Sequence, residues 1–331
     1  MHMFQKIIFR TVPIVLCLLL ICSCSAGQPG ESPGHASPSG WNYSFTDSTG
    51  SEITLTRQPE TVAVLFSSYA EIWSLAGGTV SVTVGESIQR GFVPDGTPLV
   101  DEGAGKTIDH ELLLAAQPDL VIGSADIDAQ ADACRILAEA GIPSALFRVD
   151  TFEDYLSMLE ICTGITGCPE AYTQYGTAVL EDVDRILSAV SGHTAHRPEA
   201  KEILFIRAGS QYSATKAKRA PDNFVCIMLD QLGAHNIADD AAILLDGLSL
   251  EEILLRDPDH IFLTTMGSEE AAKAYIGDLF LQDGWNRLTA VQNGQYTFLP
   301  KELFHFKPNA RWAEAYEILA QTLYPELIIH D

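Results

Sequence analysis

Basic residues are scarce in this chain: 20 Lys and Arg stand against 44 Asp and Glu, a net charge of −24 over 331 residues. Nucleic-acid phosphates need a basic face, which excludes a nucleic-acid partner. Adsorption to anionic headgroups is excluded on the same ground. Cysteine is scarce too. Beyond residue 24 only Cys134, Cys162, Cys168 and Cys226 remain, too few for a disulfide framework. None are spaced Cys-x-x-Cys, so a zinc knuckle has no support. Cys162 and Cys168 could form one bridge in an exported protein, with buried free thiols as the equal alternative. Catalytic motifs are missing as well. Gly85-Glu86-Ser87-Ile88-Gln89 lacks the closing glycine of a nucleophile elbow. His110-Glu111 is followed by Leu114, where a zinc-protease helix needs its second histidine. No Gly-rich phosphate loop follows a strand. Nine histidines are scattered without a His-rich loop, which argues against a bare metal site of three or four converging ligands. An enzyme is not expected.

What is present begins with an export signal. Lys6 and Arg10 precede an apolar run over 11–22 that is too short to span a bilayer comfortably. The run ends in Ile21-Cys22-Ser23-Cys24, and a small residue before a cysteine resembles a bacterial lipobox. Cys24 is the expected lipidated residue, since Ser23 is small. Residues 1–23 read as a signal peptide. Residues 24–40, dominated by Pro, Gly and Ser, read as a flexible tether that cannot offset its ordering entropy by burial. The chain is thus expected outside the cytoplasm, lipid-anchored to the outer face of a bacterial cytoplasmic membrane or periplasmic. Removing the leader takes away Lys6 and Arg10 and no acid, so the exported body is more acidic still.

Short apolar runs alternate with amphipathic stretches along that body. Strands are predicted at 61–66, 81–84, 120–123, 145–149, 203–207, 261–264 and 296–299, and helices at 69–76, 109–117, 129–140 and 152–163. Such alternation predicts α/β layers with largely parallel sheets. The chain also repeats itself. DHELLLAAQPDLVIGS (109–124) aligns with SLEEILLRDPDHIFLT (249–264), placing Glu111 on Glu251 and Pro118-Asp119 on Pro258-Asp259. Each copy is a helix, a proline stop and a buried strand, since proline cannot continue a helix. Two copies imply two similar lobes, 41–168 and 193–331. Between them, Val179, Val183, Ile186, Leu187 and Val190 recur at helical spacing behind Pro169, which predicts one long helix over 169–192.

PETVAVLFSSYAEIWSLAGG (59–78), the stretch 108–124, NFVCIMLDQLGAHNIA (223–238) and the closing stretch 283–324 together resemble the helical-backbone class of periplasmic binding proteins. These serve ABC importers of ferric siderophores, haem and cobalamin. The resemblance implies an α/β protein of two Rossmann-like lobes joined by one long backbone helix, with a ligand cleft between the lobes. It implies an ABC permease and its ATPase as partners, and a monomer with no cofactor of its own. The cargo is expected to be an iron complex, a ferric siderophore or haem. A corrinoid or a bare transition-metal ion on the same scaffold are the alternatives, with a cell-wall hydrolase the remaining one. Members present one acid per lobe to the permease, and the matching positions here are Glu71 and Asp230.

Ligands of such lobes sit beyond the carboxyl ends of the strands. The loops there offer Ser68, Tyr69, Arg90 and Lys106 in the first half, and Arg207 and Tyr212 in the second. The last loop, PKELFHFKP (300–308), is the densest: Lys301, His305 and Lys307 interleave with Phe304 and Phe306. Cations beside aromatic faces suit a bulky anionic ligand. Arg207 carries a fork that fits a carboxylate. His305 or Tyr212 are the candidates for direct metal ligation.

Overall fold

The computed structural model describes residues 40–195 and 199–329. The expected signal peptide, Cys24 and residues 24–39 of the tether lie outside them. An antiparallel hairpin of β1 (Tyr43–Thr46) and β2 (Glu52–Leu55) leads in. Then follow β3 (Val62–Val64), β4 (Thr83–Val84), β5 (Leu99–Asp101), β6 (Leu120–Ser124) and β7 (Ser144–Phe147). Pairing runs β3-β6-β7, all parallel, and β4 pairs β5 in parallel. A parallel bridge between Ala63 and Val82 attaches the β4–β5 pair to the free edge of β3. The second half supplies β8 (Lys201–Ala208), β9 (Lys216–Ala217), β10 (Ala234–Asn236), β11 (His260–Thr265) and β12 (Tyr296–Phe298). Its sheet runs β10-β8-β11-β12 in parallel, with β9 antiparallel to β8. Strands β3, β6 and β11 are buried at every position, as strands covered by helices on both faces must be.

The seven strands and four helices predicted from periodicity are all present, with shifted ends. The strands β1, β2, β5, β9 and β10 were not predicted. They are two to four residues long, too short for an alternation signal to rise above its surroundings.

The repeat has a physical basis. Gln117 and Asp257, each just before the proline, take left-handed backbones, with φ of 48° and 43°. Proline disfavours the helical region for its predecessor, and here the chain turns sharply into the next strand. The aspartate that follows clips that strand to its neighbour. Asp119 N–H donates to Thr61 O at 2.7 Å, and its Oδ2 accepts from the amides of Glu60 and Thr61 at 3.0 Å. In the second copy Asp259 N–H donates to Glu202 O at 2.7 Å, and its Oδ2 accepts from the Glu202 amide at 3.0 Å. The two sheets are therefore started by the same device, and β3-β6-β7 corresponds to β8-β11-β12.

The expected linking helix is a continuous helical segment of three parts: Pro169–Tyr172, a π-turn over Thr173–Thr177, and Ala178–Thr194. Gly176 lies in the widened turn, where a Cβ would come within 3.2 Å of the Tyr172 ring and 3.4 Å of Leu159. In the same turn the Tyr175 carbonyl accepts the buried Tyr155 hydroxyl at 2.8 Å. Helix Trp312–Leu323 packs along Ala178–Thr194, and one hydrophobic cluster runs from Phe45 through Tyr155 and Val183 to Trp312 and Leu323. From Gly40 onward the described residues accordingly form a single compact unit. The cysteines Cys134, Cys162, Cys168 and Cys226 are free; Cys162 is buried inside helix Phe152–Thr166, while Cys168 sits past the left-handed Gly167 with its sulfur turned toward Gly77.

Because Asp119 accepts two backbone amides and also meets Arg57, while Asp259 accepts one, Asp119→Ala should destabilise more than Asp259→Ala, by about 1–2 kcal/mol. Urea denaturation of the two variants measures the difference. Equal midpoints would show that the additional partners of Asp119 add no stability, and wild-type midpoints in both variants would show that the clip is not a stabilising feature of the repeat.

Candidate ligand cleft

The carboxyl end of β3 runs into helix Ser67–Leu75, so Ser67, Ser68 and Glu71 stand at the mouth of the first sheet. Ser67 and Ser68 are fully buried. Arg90, at the end of helix Gly85–Gln89, donates from Nη1 to both serine hydroxyls at 3.0 Å. Ser67 in turn donates to Glu86. The Arg90 guanidinium lies over two rings, 4.4 Å from the centre of Phe92 and 4.0 Å from that of Phe306. Phe92 belongs to the first lobe and Phe306 to the last pocket loop, so this arginine bridges the lobes.

The opposite wall is cationic. Arg207 is the penultimate residue of β8, and its Nε is buried without a hydrogen-bond partner among the described residues. Lys218 follows β9; burial and then the Arg207 charge hold its pKa below the ordinary lysine value. Lys301 donates to Gly267 O at 3.3 Å, with its ammonium 5.8 Å from the Phe306 ring centre. His305 meets the edge of Phe306 at 4.9 Å. Burial, then Lys301, Arg207 and Arg90, hold the His305 pKa below its ordinary value, against the pull of Glu86. Lys307 pairs with Asp150 of the first lobe at 3.3 Å. A cavity of about 280 Å³ opens between the lobes beside Glu71, Arg90, Phe92, Phe306, Lys307 and Arg311. Larger hollows of about 500 and 600 Å³ lie against the β1–β2 hairpin and Pro143. Pro143 precedes β7, so these hollows sit away from the carboxyl ends of the strands, where ligands of such sheets bind.

The structure thus gathers Ser68, Arg90, Arg207, Lys301 and His305 into one region. Other expected residues fall elsewhere. Tyr69 is 1% exposed; its hydroxyl donates to Phe147 O at 3.1 Å, and burial pushes its pKa up. Phe304 is also 1% exposed, within the core. Both belong to the packing, and Phe306 is the phenylalanine that faces the seam. Lys106 is exposed without an ion pair among the described residues, and Tyr212 stands 56% exposed. Among the described residues no three His, Cys, Asp or Glu side chains converge as a metal site. Asp230 is exposed at the end of helix Phe224–Gln231. Glu71 is not a free surface acid: it accepts from Asn309 Nδ2 at 2.7 Å, and burial raises its pKa.

Sequence reasoning passed over Lys218 and Asn309. Lys218 follows a two-residue strand that periodicity does not reveal, and Asn309 lies one residue beyond the predicted pocket loop. The repeat holds a further signal. Glu111 and Glu251, its aligned acids, are both exposed in the first turns of matching helices, His110–Ala115 and Leu250–Arg256. Beside them Leu112 and Leu114 are 53% and 38% exposed, and Leu254 and Leu255 are 36% and 78% exposed. Each lobe therefore presents an acid next to bare leucines at the same place.

A family model described as a periplasmic binding protein matches residues 62–303. By structure the chain is similar to a possible iron-binding, periplasmic solute-binding protein of Staphylococcus epidermidis, with a TM-score of 0.65, 18% identity, and coverage of 81% of this chain and 100% of that one. It is similar to SirA of Staphylococcus aureus, solved with staphyloferrin B, at 0.63, 16% identity and coverage of 87% and 99%. A periplasmic heme-binding protein of Pseudomonas aeruginosa matches at 0.64, 19% identity and coverage of 82% and 95%. No curated protein matches by sequence.

His305 supplies a direct check on the cleft's electrostatics. A histidine whose folded pKa lies below its unfolded value is stable as the neutral ring, and that stability is lost as pH falls from the unfolded pKa toward the folded one. The nuclear magnetic resonance titration of His305 should therefore have its midpoint below the ordinary 6.5. A midpoint at or above 6.5 would place the ring outside the cationic wall.

Proposed function

We propose, since the chain belongs to the periplasmic binding protein family, that it is the extracytoplasmic capture component of an ABC importer and carries an anionic iron complex, a ferric siderophore or haem. It binds and releases its cargo without transforming it. The observation that carries this reading is the Arg207 guanidinium, whose Nε is buried and unpartnered among the described residues and whose charge acts on Lys218 and His305. A buried donor left unpaired costs about 1–3 kcal/mol, and cations held close together in low dielectric repel. One anion placed among them removes both costs. In a protein of net charge −24 this grouping of cations runs against composition. The rings of Phe92 and Phe306 add apolar walls of the kind a bulky chelate needs. Solved neighbours that bear iron, staphyloferrin B or haem in their descriptions support the same cargo class. A corrinoid is the second reading; the cationic wall favours an anion over it. A bare metal ion finds no converging ligand set among the described residues.

Placement and docking complete the proposal. The export signal and Cys24 support lipid anchoring at the outer face of the membrane; no helix among the described residues is long and apolar enough to cross it. For the permease, Glu111 and Glu251 are better placed than Glu71. They are exposed, they match across the two lobes, and each is flanked by bare leucines. Paired rim charges steer and orient docking more than they add affinity.

Two measurements test this. The chain without its leader is titrated, by tryptophan fluorescence, with haemin, ferric citrate, cyanocobalamin and ferric ion alone. An iron complex should bind, and Arg207→Ala or Lys301→Ala should weaken it by about tenfold to a hundredfold, with the melting temperature of the ligand-free protein retained. Binding of ferric ion alone, or wild-type affinity in both variants, would contradict the assignment. For docking, Glu111→Arg combined with Glu251→Arg should reduce uptake in cells while cargo affinity stays at the wild-type value. Undiminished uptake would move the docking surface elsewhere.

A further inference from the structure

The cleft contains a buried tie between the lobes, made by Asn309, Ser68 and Glu71. Asn309 is completely buried and holds a left-handed backbone at φ 52°, a conformation asparagine tolerates better than most residues. Its Nδ2 donates to Ser68 O at 2.9 Å and to Glu71 Oε2 at 2.7 Å. Both partners belong to the first lobe, and both are acceptors, so only the NH₂ of the amide can face them.

The place of Asn309 in the chain gives this tie its consequence. It closes the loop that carries Lys301, His305, Phe306 and Lys307. Immediately after it, Trp312 is anchored by its ring contacts to Phe152 and Phe224, at 5.8 and 5.6 Å between centres. Helix Trp312–Leu323 then packs on the linking helix. The loop is therefore fixed at its far end by a packed helix and joined to the first lobe by the Asn309 amide, together with the Lys307–Asp150 ion pair and the Arg90–Phe306 stacking. Glu71 is held among charged groups from every element around it: Arg90 and Arg311 attract it, and Glu302 and Lys307 line the same cavity. The Tyr155 hydroxyl lies within its field.

We infer that Glu71 is a positioning residue: through Asn309 it fixes the last pocket loop, and so sets where Lys301, His305 and Phe306 meet the cargo. The consequence for cargo rests on the proposed function; the tie itself does not.

Hydrogen–deuterium exchange of the ligand-free protein tests the tie without any cargo. In Glu71→Ala, peptides covering 300–311 should exchange about tenfold faster, because a buried hydrogen bond to a charged group is lost. Peptides of the linking helix, 178–194, should be unchanged. Glu71→Gln keeps an acceptor for Asn309 and should stay near wild type. Asn309→Gly removes the same bonds from the other side while accepting the left-handed backbone, so it should loosen the loop as Glu71→Ala does, and it serves if that variant fails to fold. Unchanged exchange in both Glu71→Ala and Asn309→Gly, or exchange in Glu71→Gln as fast as in Glu71→Ala, would overturn the inference. Haemin and ferric citrate titrations of the same proteins separate the two claims. A loosened loop with unaltered affinity for the iron complex that binds overturns the loop's part in cargo binding and leaves the tie standing.

Discussion

A buried amide ties the two lobes of this protein together at the cleft. Asn309 spends its two N–H bonds on the Ser68 carbonyl and the Glu71 carboxylate, and the lobes meet there. Further contacts cross the same seam. Arg90, itself held by Ser67 and Ser68, is brought over the Phe306 ring, and Lys307 comes within 3.3 Å of Asp150. Beneath the seam the hydrophobic cluster is continuous through the linking helix, so the lobes are not independent bodies on a soft hinge. Opening between them would involve a stiff helical connection rather than a loop, and the seam contacts would be the part able to separate.

Much of the fold was legible in the sequence, for a clear reason. Strands such as β6 and β11 are wholly buried and read as apolar runs, and the Pro-Asp repeat marks a helix stop and a strand start that both lobes use. The linking helix was readable from its apolar spacing, although its π-turn was not, since that turn depends on how Gly176 fits against Tyr172 and Leu159. The short strands escaped because their pairing is decided by partners distant in sequence.

The site was less legible. Cations in the loops beyond the strand ends pointed to Arg90, Arg207, Lys301 and His305, but side-chain direction is set by tertiary packing. Tyr69 and Phe304 therefore turned inward, while Phe306, two residues from Phe304, faces the seam. The family resemblance matched Glu71 to a permease-docking acid. Its carboxylate accepts a hydrogen bond from Asn309, 238 residues later, a contact that no local pattern could reveal. The acids left free at matching places are Glu111 and Glu251, and the repeat had already aligned them.

Under the proposed function, the cations grouped at the cleft of this acidic protein recognise an anion. A charge series of ferric chelates of similar size tests it most directly, with equilibrium affinities measured for anionic, neutral and cationic complexes at low and high salt. The anionic complex should bind at least about tenfold tighter than the neutral one, with the gap narrowing as salt screens the interaction. Equal affinity across the series, or preference for the neutral or cationic complex, would contradict it.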